Sequence, residues 1–470
     1  MASSMVDELH EECGVIGIWG LPRAVHATAM GLHAMQHRGQ ESSGVAVSDG
    51  LDVRHLRAMG LVSRLTEQLS SLPEIPGSAA IGHVRYSTAG GSLLLNAQPF
   101  LIRHKRGPLA IAHNGNLINA GQLRRQMEEL GHIFQSTSDT ETILHLIARH
   151  PGDDLDEAVR HSLAQVKGSY CVVLLARDRL YVGRDPLGIR PLCLGRLDKS
   201  WIVASESCAF DLLGATYVRD IEPGELLVID EKGPRSLRIA ESGKPAHCIF
   251  EYVYFSRPDS LIFGHSCDKI RRRLGKQLAH EAPAEADVVI AVPDSSNTAA
   301  LGFSQRSGIR FEIGLLRNHY VGRTFIDPTQ AGRESKVKLK FNPISGVLKG
   351  RRVVLVDDSI VRGTTLRSLC RMVREAGASE IHVRISSPPV RHPCFYGMDF
   401  PTEAELLASN MSVEDMRKYL GVESLGYLSI EGMVAAAREL EGNFCTGCFS
   451  GAYPDEELNK GHRDQISMGL

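Results

Sequence analysis

Short apolar runs bounded by Gly, Ser and Asn dominate the first half of the chain. The runs are CGVIGIWG, GVAVS, AAIGHVRYS, LAIAHNG, SYCVVLLA and WIVASES. Runs of this length and boundary composition are typical of β-strands. Apolar residues recur with helical spacing in residues 23–36 and 140–149. Residues 13–240 are therefore predicted to form a β-rich domain with interspersed helices.

The pattern changes near residue 240, where apolar strand-like runs begin to alternate with helical spacing. DVVIAVPDS precedes a predicted helix over 297–305, RRVVLVDDS precedes one over 364–376, and EIHVRISSPP forms a third run. Such units predict a parallel α/β sheet with right-handed crossovers in residues 241–454. Residues 455–470 are highly charged, and we expect a mobile tail there.

Composition narrows the possible classes of protein. The chain has 470 residues, of which 43% are hydrophobic and 23% are charged, as in ordinary globular proteins of two or three domains. A net charge of -2 gives no reason to expect a nucleic-acid or membrane partner. The acidic N-terminus lacks the features of a secretory signal, which favours a cytoplasmic location. Ten cysteines are too few for a disulfide scaffold, so we expect metal binding or catalysis instead.

Cys13 stands at the start of the first predicted strand. Position alone favours a small buried cysteine. The alternative is that cleavage after Glu12 removes a propeptide, residues 1–12, and frees an α-amino group. Such an amine has a pKa near ~8 and can act as the general base for its own thiol.

Other residues of this half would complete an amide-cleaving site. Asn114 and Gly115 could form an oxyanion hole, Arg85 could pair with a substrate carboxylate, and Asp139 could pair with an ammonium group. Taken singly, each has a structural explanation. HNG could be a turn, Asp139 a helix N-cap and Arg85 a surface salt bridge.

Together, the motifs CGVIGIWG, HRGQESSG, HVRYSTAG, HNGNL and SDTE resemble the glutamine amidotransferase domain of the N-terminal-nucleophile hydrolases. The resemblance implies an α+β sandwich with αββα layers. It implies that Cys13 attacks the glutamine amide, with Asn114 and Gly115 as the oxyanion hole. It also implies glutamine binding by Arg85, Thr88 and Asp139, with Arg38 on a loop that closes over glutamine.

A second constellation follows the strand of RRVVLVDDSIVRGTT. Asp357 and Asp358 end the strand, and a hydroxyl-rich loop opens a helix. A helix N-terminus with hydroxyls binds phosphate, and strand-end carboxylates can hold ribose or a divalent metal. A simple strand–turn–helix with an Asp cap is the alternative. Asp294, Ser295 and Ser296 follow a neighbouring strand and suit a pyrophosphate.

A basic segment lies between these loops and suits a lid over polyphosphate. Its cations are Arg323, Arg333, Lys336, Lys338 and Lys340. These motifs resemble the type I phosphoribosyltransferases, an α/β fold that uses phosphoribosyl pyrophosphate (PRPP) with one Mg²⁺. The resemblance implies Mg²⁺ at Ser295, Asp357 and Asp358. It implies a PRPP site formed by Asp294, Ser296, Asp357, Asp358, Ser359, Gly363, Thr364, Thr365 and Lys338.

Four cysteines form a separate candidate metal site. Cys445 and Cys448 make a CxxC pair, and Cys248 and Cys394 could join them in a site for zinc or an iron–sulfur cluster. Spacing does not decide between the two, nor whether the four meet. The other five, Cys171, Cys193, Cys208, Cys267 and Cys370, lie in apolar contexts and are predicted to be core residues.

The two halves in one chain resemble the glutamine-dependent amidophosphoribosyltransferases, over roughly residues 13–452. The resemblance implies synthesis of 5-phosphoribosylamine, the first committed step of purine synthesis. It implies a propeptide, a [4Fe-4S] cluster on the four cysteines, feedback inhibition by purine nucleotides and a homotetramer. Two alternatives are another glutamine-dependent synthase, whose SGGxDS loop is absent, and a regulatory PRPP sensor, which predicts a decayed nucleophile or lid.

Overall fold

The computed structural model describes residues 13–73, 75–86, 93–240, 243–318, 337–398, 400, 402–437 and 443–455. Several predicted features lie outside these residues. They are the leader 1–12, Thr88, the lid cations Arg323, Arg333 and Lys336, and all of the tail beyond Asp455.

Two antiparallel sheets face each other in the first half of the chain. The seven-stranded sheet has the spatial order Thr216–Asp220, Cys193–Leu197, Ser200–Ala204, Gly14–Trp19, Ala79–Arg85, Ser42–Ser48 and Val53–Met59. The six-stranded sheet has the order Gly233–Arg238, Glu225–Asp230, Leu180–Arg184, Gly168–Leu175, Gly107–Leu117 and Phe100–His104.

Helices cover the outer face of each sheet. The seven-stranded sheet packs on Ala24–Ala34, Val62–Ser71 and Cys208–Leu213. The six-stranded sheet packs on Ala120–Glu129, Thr140–Arg149 and Leu155–Leu163. A third apolar core fills the space between the sheets, with Val15, Ile81, Val173 and Leu227 among its members. The predicted αββα sandwich is confirmed.

Burial on both faces explains the sequence pattern of this half. A sheet with one face in water alternates apolar and polar residues, whereas a sheet covered on both sides reads as a continuous apolar run. Every residue of Ser42–Ser48 and of Ala79–Arg85 is buried. The polar residues within these strands, such as His83 and Arg85, are therefore buried as well.

The second half is built on four parallel strands in the order Val288–Ala291, Arg352–Asp357, Glu380–Ile385 and Ser424–Tyr427. Its helices are Cys267–Glu281, Asn297–Ser307, Ser345–Leu348, Thr364–Glu375, Leu407–Asn410, Val413–Leu420, Ile430–Ala436 and Gly447–Ser450. The predicted parallel α/β sheet is confirmed, and the two helices predicted over 297–305 and 364–376 agree with the structure to within two residues.

Short elements complete the fold. Three two-stranded pairs are Leu261–Ile262 with His265–Ser266, Leu315–Arg317 with Phe341–Pro343, and Ala246–Cys248 with Asn443–Cys445. The remaining helical turns are Gln36–Arg38, Leu94–Asn96 and Glu403–Glu405, with a π-helix over Glu251–Phe255. No helix among the described residues is long and apolar enough to cross a membrane.

Two helices of the second half, Cys267–Glu281 and Asn297–Ser307, approach each other through glycine. A Cβ atom on Gly275 would lie 1.8 Å from the carbonyl oxygen of Ala299, and one on Gly302 would lie 2.0 Å from that of Arg272. Backbone atoms cannot move aside as side chains can. The two glycines therefore set the spacing of the helices that flank the strand Val288–Ala291.

We predict that Gly302→Ala destabilises the protein by about 1–3 kcal/mol or more, as overpacking of a core does. Gly346→Ala is the matched control, because Gly346 is also helical and a Cβ there meets nothing within 4 Å. The measurement is the midpoint of thermal or urea unfolding. Equal midpoints for the two variants would contradict the proposed close approach.

Candidate active sites

Cys13 lies directly before the central strand of the seven-stranded sheet. Its side chain is 9% exposed, and its thiol donates a hydrogen bond to the carbonyl oxygen of Tyr86 over 3.5 Å. Burial raises the pKa of this thiol to about 11, although the Tyr86 bond and the charge of Arg85 act in the opposite direction. The thiolate is the nucleophilic form. A reactive Cys13 therefore needs a base close to its sulfur.

Asn114 reaches the strand that follows Cys13 from the other sheet, and Gly115 is the next residue of the same strand. The Nδ2 of Asn114 donates to the hydroxyl of Ser205 over 3.3 Å, and the backbone N–H of Val15 donates to that hydroxyl over 3.0 Å. Ser205 thus joins the Asn114 amide to the strand that follows Cys13. Gly115 has φ +145°, and a Cβ there would lie 2.1 Å from the carbonyl oxygen of Ser169. HNG is therefore part of a buried strand and not a turn.

Arg85 forms a buried ion pair. It is 3% exposed, and its Nη1 donates to Oε1 of Glu41 over 2.5 Å. The alternative of a surface salt bridge is wrong. Both charges act on the pKa of Cys13, Arg85 lowering it and Glu41 raising it. The guanidinium therefore lies within electrostatic range of the thiol.

Asp139 occupies the N-cap position of the helix Thr140–Arg149, but its carboxylate makes no cap bond to that helix. Its Oδ2 accepts from the backbone N–H of Leu117 over 3.0 Å, and its Oδ1 lies 3.7 Å from Nδ1 of His113. Burial opposes ionisation, but His113 and these bonds hold the pKa of Asp139 below its usual value. The carboxylate is thus directed towards the HNG strand.

Arg38, predicted on a loop that closes over glutamine, lies in the interior of this structure. It ends the short turn Gln36–Arg38 and is fully buried. Its guanidinium donates to the carboxylates of Glu206 and Glu251 and lies 4.4 Å from the ring centre of Phe255. These partners fix the side chain in the interior.

The second candidate site lies at the carboxyl ends of two parallel strands. Asp358 is 4% exposed, and its carboxylate accepts hydrogen bonds from Ser295 over 2.6 Å, Ser296 over 3.3 Å and Ser359 over 2.7 Å. Ser296 also donates to Asp357 over 3.0 Å. Burial raises the pKa of Asp358 despite the hydroxyl donors. The structure therefore brings the predicted acids and serines together.

The loop after Asp358 opens the helix Thr364–Glu375, with Gly363 at its N-cap position and Thr364 exposed. Asp294 is exposed at the neighbouring loop and accepts from Arg317 over 3.4 Å. These groups face one edge of the sheet, as predicted for a phosphate site.

Lys338 is not brought to this loop. Its Nζ lies 4.0 Å from Oε2 of Glu375, at the far end of the helix from Thr364. A helix of 12 residues is roughly 18 Å long, so the ammonium group is remote from the Asp357 loop in this structure.

The backbone brings the four candidate ligand cysteines into one region. Cys248 and Cys445 are direct partners in the parallel pair Ala246–Cys248 with Asn443–Cys445. The N–H groups of Arg391 and His392, just before Cys394, donate to the carbonyl oxygen of Cys448. All four cysteines are free of disulfides.

The thiols influence one another electrostatically. Burial raises the pKa of Cys448 well above its usual value, and the neighbouring thiols of Cys394, Cys445 and Cys248 raise it further. Burial also raises the pKa of Cys248 to about 11. Within the described ranges, however, no group of three or more His, Cys, Asp or Glu side chains is arranged to hold a metal ion.

The five other cysteines are buried, as predicted. Sequence reasoning missed Ser205, Glu41 and His113, which bind or orient the predicted residues. Glu41 lies in the motif HRGQESSG and His113 in HNGNL, so membership of these motifs could have identified both as site residues. Ser205 gives no such signal, because it is 91 residues from Asn114.

Both halves match described families. Residues 83–211 match the glutamine amidotransferase domain, and residues 265–386 match the phosphoribosyl transferase domain. The amidophosphoribosyltransferase of Bacillus subtilis is 49% identical over 95% of both chains. That of Methanothermobacter thermautotrophicus is 48% identical over the same shares.

Solved structures agree with the fold over nearly the whole chain. A glutamine PRPP amidotransferase from B. subtilis, described as complexed with ADP and GMP, is 47% identical, covers 94% of this chain and 97% of its own, and has a TM-score of 0.89. A structure described as the allosteric regulatory enzyme of purine biosynthesis is 48% identical, with shares of 94% and 96% and a TM-score of 0.90. With both halves present in this order and relatives matching from end to end, the chain belongs to the amidophosphoribosyltransferase family.

Proposed function

We propose that this chain makes 5-phosphoribosylamine, glutamate and pyrophosphate from glutamine, PRPP and water, as the first committed step of purine synthesis. The observation that carries the proposal is that one chain holds both constellations. A buried thiol lies beside an amide, an arginine and a carboxylate in the first half, and a hydroxyl-bonded acid pair lies at the strand ends in the second. The proposed division is residues 13–240 for glutamine hydrolysis and 241–454 for phosphoribosyl transfer.

In the first half-reaction, the Cys13 sulfur attacks the side-chain amide carbon of glutamine. The α-amino group freed by removal of residues 1–12 takes the thiol proton and delivers it to the leaving ammonia. The Asn114 Nδ2 and the Gly115 N–H stabilise the oxyanion of the tetrahedral intermediate. Water then hydrolyses the thioester to glutamate.

Glutamine is held by its amino-acid head. Arg85, which also pairs with Glu41, would bind the carboxylate, and Asp139, which lies against the HNG strand, would bind the ammonium group. Thr88 completes the proposed site. Arg38, on the loop proposed to close over glutamine, would support this site while its guanidinium stays paired with Glu206 and Glu251.

In the second half-reaction, ammonia that has passed internally attacks C1 of PRPP, and pyrophosphate leaves. Asp357 and Asp358 would hold the ribose, and Ser359, Gly363, Thr364 and Thr365 the 5-phosphate. Asp294 and Ser296 would face the pyrophosphate, which Lys338 could reach only by moving from its position beside Glu375.

The residues at this site fit one Mg²⁺. Mg²⁺ is commonly bound by one or two carboxylates with the rest of its shell from water and substrate phosphates. Asp357, Asp358 and Ser295 offer such oxygens, and burial of the Asp358 carboxylate leaves its charge poorly solvated. When bound, Mg²⁺ would neutralise the charge of the departing pyrophosphate.

Cys248, Cys394, Cys445 and Cys448 fit a [4Fe-4S] cluster by their chemistry, since four thiolates are its usual ligands. The backbone pairing of Cys248 with Cys445, the bonds from Arg391 and His392 to the Cys448 carbonyl oxygen, and the mutual effect on pKa support this assignment. The proposed role of the cluster is structural, together with oxygen sensing.

Purine nucleotides are the proposed feedback inhibitors. The B. subtilis relative is described as complexed with ADP and GMP, and the other solved relative as an allosteric regulatory enzyme. A homotetramer and a cytoplasmic location complete the proposal.

Maturation gives the first functional prediction. Because burial raises the pKa of the Cys13 thiol to about 11, the thiol needs the adjacent amine as its base. We expect the active chain to begin at Cys13. Intact-mass measurement and N-terminal sequencing check this, and fully active enzyme that retains residues 1–12 would contradict the mechanism.

The two half-reactions should be separable. Cys13→Ala should abolish glutamine-dependent synthesis and leave ammonia-dependent synthesis, whereas Asp357→Ala should remove both. Cys171→Ala, another buried cysteine of the sandwich, is the control and should retain both. The assay is PRPP-dependent glutamate release together with pyrophosphate release. Wild-type protein without PRPP-dependent glutaminase activity would refute the proposed function.

The cysteine group predicts a metal-dependent stability. Cys445→Ser should lower iron and sulfide content and the unfolding temperature together, because the ligands close very long loops. Cys370→Ser, a buried cysteine outside the group, should keep the full iron content. Anaerobically purified protein with about one zinc and no iron would refute the cluster assignment.

A further inference from the structure

A short segment of the second half, Phe395–Gly397, lies against the strand that carries Asn114 and Gly115. The side-chain Nδ2 of Asn116 donates to the carbonyl oxygen of Phe395 over 2.9 Å. The hydroxyl of Ser169 donates to the carbonyl oxygen of Tyr396 over 2.7 Å. Two consecutive carbonyls of one half of the chain are thus bound by side chains of the other.

The two donors are themselves a matched pair. Asn116 and Ser169 are direct partners in the ladder between Gly107–Leu117 and Gly168–Leu175, and Gly115 pairs with Tyr170 one position earlier. A displacement of the segment would therefore pull on both strands beside Gly115. The contact lies two residues from the Asn114 side chain.

Gly397 makes the contact closer still. Its φ is +102°, and a Cβ atom there would lie 3.2–3.4 Å from the Cα, C and O atoms of Gly115. On its other side, Gly115 is so close to Ser169 that its own Cβ would lie 2.1 Å from that carbonyl oxygen. The Gly115 peptide is thus enclosed by backbone on both sides.

A buried arginine fixes the segment from behind. Arg190 is fully buried, and its Nε and Nη2 donate to the carbonyl oxygen of Tyr396 over 3.2 and 3.0 Å. Its Nη1 donates to Oε1 of Glu251 over 3.2 Å. Hydrogen bonds from a charged donor are stronger than those from a neutral donor, so the guanidinium of Arg190 fixes the position of the Tyr396 carbonyl.

We propose that Phe395–Gly397 is a brace that positions the oxyanion hole, and that Asn116, Ser169 and Gly397 are positioning residues for glutamine hydrolysis. The inference rests on the proposed function, which gives Asn114 and Gly115 the oxyanion role. Oxyanion donors act only when placed within a fraction of an ångström of the developing charge. The phosphoribosyltransferase half therefore completes the glutaminase site through its backbone.

The test compares two glycines with the same backbone strain. Gly397→Ala would place a methyl group against Gly115, whereas Gly377 also has φ +102° and a Cβ there would lie 3.3 Å from Lys349, away from both sites. In anaerobically purified full-length enzyme, Gly397→Ala should lower the glutamine-dependent kcat by about 10- to 100-fold, below the loss of a whole oxyanion donor. Gly377→Ala should not change the ratio of glutamine- to ammonia-dependent activity.

Three further readouts separate positioning from damage to the fold. Ammonia-dependent synthesis and the glutamine KM should stay within about threefold, since neither requires the oxyanion hole. Alkylation of Cys13 by iodoacetamide should keep its rate, because that displacement forms no oxyanion. Asn116→Ala removes one hydrogen bond without adding bulk, and it should also lower glutamine-dependent activity while sparing ammonia-dependent activity. This variant tests the proposal if Gly397→Ala does not fold.

The brace would be overturned if the variants lost glutamine-dependent and ammonia-dependent activity in parallel. It would also be overturned if both Gly397→Ala and Asn116→Ala kept their glutamine-dependent activity. A changed alkylation rate would also overturn it, because the effect would then lie at Cys13. If wild-type enzyme lacks glutamine-dependent activity, or Cys13→Ala retains it, the proposed function itself fails. If the wild-type enzyme has glutamine-dependent activity and the variants keep it, only the brace is refuted and the proposed function stands.

Discussion

The two halves of the chain are joined by buried ion pairs at the carboxylate of Glu251. It begins the π-helix Glu251–Phe255 and accepts from Arg38 and Arg190, both of which belong to the sandwich and are fully buried. Each buried ion costs several kcal/mol of desolvation, so such a group is tolerated only when its pairing is complete. In the arrangement seen here, each oxygen of the Glu251 carboxylate accepts from one of these two arginines. The ion pairs therefore link the second half of the chain to the sandwich.

Glu206 extends the same network. It accepts from His37 and Arg38 on one side and from Ser260 and the Arg257 N–H on the other. Although burial alone would raise its pKa, His37 and Arg38 hold the pKa of Glu206 well below the usual range. The carboxylate thus stays charged, and the chain near Arg257 is tied to the sandwich.

Much of the fold was predictable from the sequence, because both faces of the sandwich sheets are buried and their strands read as apolar runs. The acid pair and serines of the second site were also predictable, since each follows directly from a strand. Arg38 was not. HRGQE reads as a polar loop, and the carboxylates that bury its arginine lie 168 and 213 residues away. The position of Lys338 beside Glu375 was not predictable for a related reason: its charge suited polyphosphate, but charge does not specify which end of a helix it faces.

The contact between Phe395–Gly397 and Gly115 has a consequence for the order of events on the ribosome. Synthesis proceeds from the N-terminus, and domains generally fold as they emerge. All strands of the sandwich are made by Arg238, yet the residues that enclose Gly115 follow about 160 residues later, and the partner strand of Cys248 follows later still. During synthesis, the sandwich therefore folds before the phosphoribosyltransferase half exists. The strand that carries Asn114 and Gly115 gains its contacts with that half only afterwards. Besides the need to remove residues 1–12, the order in which the segments are made would therefore restrain glutamine hydrolysis during translation, while no acceptor for the ammonia exists.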